Sequence, residues 1–214
     1  VLFRSRYVPT VVMRLWLPDI PGTLGRVAAA IGRADGDVVG IEILERGAGM
    51  AIDELTVALP DGGTSEALIA EVSAVDGVAI EDVHEVAADR PDQSVLALDV
   101  AARIMESPAA DRAAVTCSAI REMLESDWCT IIVDSPVATS GEVPDIAWLT
   151  AFVDGASHLS DEAVHEHTPS DIAWARLGAS GATIVSGRAK GAFRLRERRH
   201  LALIARIVGS HWSA

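Results

Sequence analysis

Residues 17–32, LPDIPGTLGRVAAAIG, place an Asp-x-Pro-Gly turn between an apolar run and an Ala-rich run. Pro21 has no N–H for a strand ladder and Gly22 reaches φ angles that other residues avoid, so a strand stops here and the chain turns tightly. Beyond the turn, Leu24, Val27, Ala28, Ile31 and Ala34 recur at the spacing of one helix face. A helix start leaves backbone N–H groups without partners and carries the positive end of the helix dipole, so Gly22 to Leu24 form a candidate carboxylate site. The plainer reading is a well-made connection, because most strand-to-helix turns bind nothing.

Upstream, VVMRLWL (11–17) alternates, with Val11, Met13, Leu15 and Leu17 on one face and Val12, Arg14 and Trp16 on the other. Downstream, GDVVGIEILE sets Val39, Ile41 and Ile43 on one face, and AIDELTVALP follows with Leu55, Val57 and Leu59. The two predicted strands are joined at RGAGM. A second helix is expected in DGGTSEALIAEVSAVDG, with Thr64 or Ser65 as N-cap, Leu68, Val72 and Val75 inward, and Gly77 as its stop. VAIEDVHEV (78–86) closes the unit, giving the order β-α-β-β-α-β, a split βαβ with an antiparallel sheet and both helices on one face. Such a sheet leaves Val12 and Trp16 exposed unless something covers them.

The stretch AADRPDQS (87–94) is polar, holds Pro91 and lacks periodicity, which predicts a linker near residue 90 and domains over 1–88 and 93–214. After it, SVLALDVAARIMESP and AADRAAVTCSAIREMLES show helical spacing, and DWCTIIVDS reads as a buried strand. DIAWLTAFVDG (145–155) fits a strand or a short helix equally well. DIAWARLG, GATIVSGR and RERRHLALIARIVGSHW complete a strand, strand, helix ending, so the second domain is expected to be a sheet flanked by helices. The predicted fold class is α+β throughout.

Half of the 214 residues are apolar and 23% are charged, an ordinary globular composition with no signature of disorder. The formal charge of −13 argues against nucleic acid or an anionic membrane as partner, since neutralising phosphates needs an excess of Lys and Arg. The opening VLFRSRYVPT carries no leader-like apolar region, so a cytoplasmic protein is expected. Cys117 and Cys129 make no metal-type pattern and are too few for a disulfide framework.

Residues 11–86 resemble an ACT domain, the amino-acid-sensing module of regulated metabolic enzymes. Asp19, Pro21, Gly22, Leu24 and Val27 fit that family's D-x-P-G-x-L-x-x-V opening, and GDVVGIEI fits the start of its second strand. The resemblance implies a ferredoxin-like fold, a homodimer, and an effector held between two modules. Carried over by position, it implicates Asp19, Ile20, Pro21, Gly22, Thr23, Leu24 and Asp37 as ligand-binding residues. The family often has Asn where this chain has Asp37, and sometimes at Asp19; an anion there repels a ligand carboxylate and attracts its ammonium. Residues 94–212 resemble a GAF domain, a small-molecule sensor module; this implies architecture only and transfers no ligand residue.

The remaining candidates have bland readings. His165 and His167 in HEH, with Asp161 or Glu162, have metal-ligand residue types but fit an exposed polar loop better. Ser157, His158 and Asp161 supply triad types without a nucleophile elbow. Cys117 lies mid-helix and Cys129 in an apolar strand, so neither is expected to be a nucleophile. RAKGAFRLRERRHLALIAR gathers seven basic residues against Glu197, which reads as a solvated helix face or an anion-binding surface. Trp148 and Trp174 are candidates for a pocket wall or for core. No catalytic residue, metal site or cofactor is expected. The leading expectation is a non-catalytic sensor of an amino acid or similar small metabolite. The alternative is a dimerising protein-interaction or transcription-coupled regulator that binds no amino acid, and an enzyme using the Trp-rich second domain comes third.

Overall fold

The computed structural model describes residues 9–156, 169–178 and 181–212, and divides into two compact units, Val1–Asp92 and Gln93–Ala214. HEH and the Ser157, His158 and Asp161 set lie outside the described residues.

The first unit runs β1 (Thr10–Pro18), α1 (Thr23–Arg33), β2 (Asp37–Gly47), β3 (Met50–Ala58), α2 (Ser65–Ser73), β4 (Ala79–Val86). Its sheet has the order β2-β3-β1-β4 with every neighbour antiparallel, which is the ferredoxin-like arrangement. The alternation in β1 decides the packing: Val11, Met13, Leu15 and Leu17 join Leu55, Val57 and both helices in one core. On α1 the inward residues are Val27, Ala30 and Ile31, while Ala28 points to solvent, because the stripe that meets the sheet follows i, i+3, i+4 from Val27. Thr64 caps α2 by accepting the Ala67 N–H at 3.4 Å.

Two departures concern the strands. The register of β2 slips between Val38 and Gly40, so Val38 packs on the core and Val39 is left 57% exposed. On the face of β1 away from the helices, Val12 is buried rather than exposed, and polar pairs occupy the same surface. Arg14 holds Glu54 at 2.8 Å, Arg90 reaches the other oxygen of Glu54 at 3.4 Å, and the Trp16 indole donates to Glu81 at 2.6 Å.

The second unit runs α3 (Gln93–Glu106), α4 (Arg112–Met123), β5 (Trp128–Ile132), β6 (Pro136–Gly141), α5 (Ile146–Ala156), β7 (Ile172–Arg176), β8 (Thr183–Gly187), α6 (Leu195–Gly209). Its antiparallel sheet has the order β6-β5-β8-β7. One face packs Cys129, Ile131, Ala173, Ala175 and Ile184 under α3, α4 and α6. The other gathers Trp128, Ile132, Ile172, Trp174 and Val185 beneath Leu149 of α5. DIAWLTAFVDG is therefore a helix, started by Asp145, whose carboxylate accepts the Trp148 N–H at 2.9 Å. Strand β6, in SPVATSG, was not anticipated: it is a short edge strand whose side chains are polar or small and largely exposed, so it lacks an apolar period.

Candidate functional site

The β1–α1 turn is built as its sequence requires. Gly22 takes φ 91°, a left-handed conformation, and serves as N-cap of α1 without a side chain to accept from the helix. No acidic residue stands in the first turn. The helix start therefore faces outward with neither a side-chain cap nor a compensating charge, beside exposed Pro21 and Gly22. Thr23 is buried, its hydroxyl accepting from Arg26 at 3.1 Å, and Leu24 packs against the core. Ile20 is 58% exposed at the tip.

The β2–β3 hairpin holds this turn in place. Its two connecting residues, Ala48 and Gly49, both have positive φ (51° and 77°), as a tight hairpin demands, and the Gly49 carbonyl accepts the Asp19 N–H at 2.9 Å. Arg46, at the end of β2, lies 3.9 Å from the Asp19 carboxylate. Both side chains are well exposed, so this pair adds little stability.

Asp53 was not among the expected residues. It lies on β3 opposite Leu15, on the helix-facing side of the sheet, and is 3% exposed. Its Oδ1 is buried and makes no hydrogen bond. Burial raises its pKa above the usual carboxylate value; the Arg46 guanidinium opposes the shift and the Asp19 carboxylate adds to it. A buried carboxyl with an unpartnered oxygen costs stability. It lies near a turn in which the Thr23 N–H is already given to the Ile20 carbonyl at 3.3 Å, while the Gly22 and Leu24 N–H groups flank it at the uncapped helix start. Its signal in the sequence is spacing: in AIDELTVALP, Asp53 falls two residues before the inward Leu55.

Asp19, Ile20, Pro21, Gly22, Thr23 and Leu24 come together in the turn, and Asp37 does not join them within one module. Asp37 pairs with Ala58 and Arg46 with Ala51, so they sit at opposite ends of β2. Eight residues of strand lie between them, a separation of about 30 Å.

Candidates in the second unit resolve structurally. Cys117 and Cys129 are buried, and the Cys129 thiol is pushed well above its ordinary pKa by its hydrogen bond with Cys117 and by burial. Such thiols are poor nucleophiles. Trp174 is core, whereas Trp148 is 47% exposed. Within the basic run, Arg188 is internal and paired with Glu197 at 2.9 Å, and Arg198 donates to the Phe193, Pro169 and Ser170 carbonyls. Among the described residues, no helix is long and apolar enough to cross a membrane and no group of three or more His, Cys, Asp or Glu is placed to hold a metal.

No protein-family model matches the chain, and no curated protein matches it. Solved structures with some likeness include the ACT domain of a GTP pyrophosphokinase from Chlorobium tepidum, 17% identical over 36% of this chain and 96% of its own, at TM-score 0.29. A putative glycine cleavage system transcriptional repressor is 8% identical over 89% of this chain and 82% of its own, at TM-score 0.32. A bacteriophytochrome from R. palustris is 14% identical over 79% of this chain and 38% of its own, at TM-score 0.32. These likenesses are weak and reach no further than fold; the strand order and connectivity of each unit carry the description given above.

Proposed function

We propose that the protein is a non-catalytic regulatory protein whose first unit binds an amino acid or similar small metabolite at the β1–α1 turn. The observation that carries this reading is Asp53: a buried carboxyl with one oxygen unpartnered, beside an uncapped helix start, is a poor arrangement for an empty module and a good one for a zwitterion. A ligand carboxylate meets the N–H groups of Gly22 and Leu24, and its ammonium meets Asp53, with Arg46 and Asp19 at the rim. A thermal-shift screen against the amino acids tests it. A ligand at a hundred times its Kd stabilises by about 2.7 kcal/mol, and a flat response to all of them would overturn the reading. Gly22→Val is expected to abolish that shift, because a β-branched residue resists φ 91° and intrudes on the approach to the helix start. The backbone penalty is about 1–2 kcal/mol, which leaves the unit folded. Unchanged affinity of this variant in calorimetry would remove the turn from the site.

The reading includes a homodimer. Strand β2 is a sheet edge, and Ile41 and Ile43 on it are 48% and 38% exposed, with Val39 and Ile20 more so. Exposed apolar edges invite pairing. Two β2 strands paired antiparallel about a two-fold axis would bring Asp37 of the partner subunit to the Arg46 end of the first, which reunites Asp37 with the turn. Light scattering is expected to return twice the chain mass at micromolar concentration. A monomer with and without amino acids would sink the dimer and the shared site. The second reading, a dimerising regulator that binds no amino acid, is favoured by the same apolar edge and gains if the dimer forms while the ligand screen stays flat.

A further inference from the structure

At one end of the second sheet, the start of β5, the end of β8, the start of β7 and the segment leading into α5 surround a cleft of about 490 Å³. The register explains why they meet: Gly187 lies opposite both Trp128 and Ile172. Trp128, 9% exposed at the margin of the core beneath Leu149, covers Gly187 so closely that a Cβ there would clash with its ring, so glycine lets the indole lie down as a wall. Trp148 forms another wall. It remains 47% exposed and is stacked on Phe152, with centroids 5.8 Å apart and planes 15° from parallel. Exposing a large indole this far, braced by a second ring, is unusual for a residue whose role is packing alone.

The charged side chains lining the cleft are Asp127, Asp171 and Arg188. Arg188 contributes to its lining, but its guanidinium is committed elsewhere, to Glu197 and the carbonyls of Leu124, Gly191 and Ala192, and lies 4.1 Å over the Phe193 ring. What is left is carboxylate. Asp127 is held by the Ala189 N–H at 2.6 Å, and Asp171, at the start of β7, is exposed. An anion is repelled here, and a neutral apolar molecule leaves both carboxylates unused. A metal ion wants a cage of oxygen and nitrogen ligands rather than indole faces. An organic cation uses every wall: indole faces attract it through their quadrupoles, and the carboxylates through charge. The net charge of −13 raises the local concentration of cations further.

We propose that this cleft is a binding site for an organic ammonium ion, a protonated or methylated amine, with Trp128 and Trp148 as its aromatic walls and Asp127 and Asp171 as its counter-charges. The site is independent of the β1–α1 turn. Calorimetry on the full chain with choline and tetramethylammonium as probes, beside the uncharged carbon isostere of choline, tests it. Saturable binding of both cations is expected, with the isostere weaker by about tenfold or more. Trp148→Ala is expected to lower choline affinity by about tenfold, and Asp171→Asn to lower it severalfold and flatten its salt dependence. Both positions are exposed, and unaltered far-UV circular dichroism would show that the variants fold. Absence of saturable binding, equal affinity for the isostere, or affinity unmoved by both substitutions would each overturn the proposal.

Discussion

Replacing Asp53 with Asn is expected to make the empty protein more stable and to cost it its ligand. The carboxyl is 3% exposed, one of its oxygens has no hydrogen-bond partner, and burial is the main cause of its raised pKa. An Asp whose folded pKa lies above its unfolded value binds protons more tightly in the folded state. Stability is then fullest below the ordinary carboxylate pKa and falls as pH rises through the raised folded value. The neutral amide escapes that fall. At pH 7 the variant should gain roughly 1 kcal/mol, about 4–8 °C in Tm for a unit of this size, and the gain should vanish in acid below both pKa values. Affinity should move the other way, by about tenfold or more, as the ammonium loses a charged acceptor. A destabilised variant with unchanged affinity would mean that Asp53 serves the fold and not a ligand. The opposition of the two effects is the informative part, since a group that weakens the empty module and strengthens the occupied one belongs to a site.

Removing Arg188 should be the most damaging single change in the second unit. Its guanidinium is buried at 7% side-chain exposure and forms two bonds to the Glu197 carboxylate, at 2.9 and 3.0 Å. It also donates to the Leu124 and Ala192 carbonyls at 3.0 and 2.6 Å. Glu197 is itself engaged at the start of α6, accepting the Arg194 N–H at 2.6 Å. Arg188→Ala takes the guanidinium from a carboxylate and from three carbonyls, those of Leu124, Gly191 and Ala192, and removes the packing over Phe193, so about 3–5 kcal/mol of stability should be lost in chemical denaturation. Replacing Arg188 and Glu197 together by apolar residues should recover part of it, because no lone charge remains. A loss under about 1 kcal/mol for the single variant would show that the pair is solvated and carries little of the fold.

The two readings of the basic run, a solvated helix face formed by Arg194, Arg198 and Arg199 or an anion-binding surface, rest on its charge, and Arg188 in the same run follows neither. Arginines close in sequence share a charge sign but not an environment. Arg188 directly follows a fully buried strand and turns inward, whereas Arg196, Arg198, Arg199 and Arg206 lie on a helix whose inward stripe is Leu201, Ile204, Ala205 and Val208. The Trp-rich half was ambiguous for a related reason. Trp148 and Trp174 sit in near-identical contexts, DIAWL and DIAWA, yet one is on a helix and half exposed while the other is on a strand in the core. Four identical residues do not choose between helix and strand. The sheet does: Trp174 has β8 to pair with, and the segment holding Trp148 has Leu149 to bury beneath a helix.

What the sequence determined by itself is local and periodic. The two-residue alternation of β1, the Pro21-Gly22 turn, the stripe of α1 and the Thr64 cap of α2 are written in nearest neighbours, and together they impose the βαββαβ order. Tertiary structure decided where separated residues meet. Asp37, implicated as a ligand-binding residue by resemblance, lies at the end of β2 remote from the β1–α1 turn because antiparallel pairing in the order β2-β3-β1-β4 brings the other end of β2 to that turn. Asp53 was visible only as a polar residue in an inward position. Its meaning came from the sheet, which places it opposite Leu15 and near Asp19 and Arg46 with its Oδ1 buried and unpartnered. Backbone periodicity fixes which way a side chain points; what it meets there depends on strands and turns far away in the chain, and no local pattern encodes that meeting.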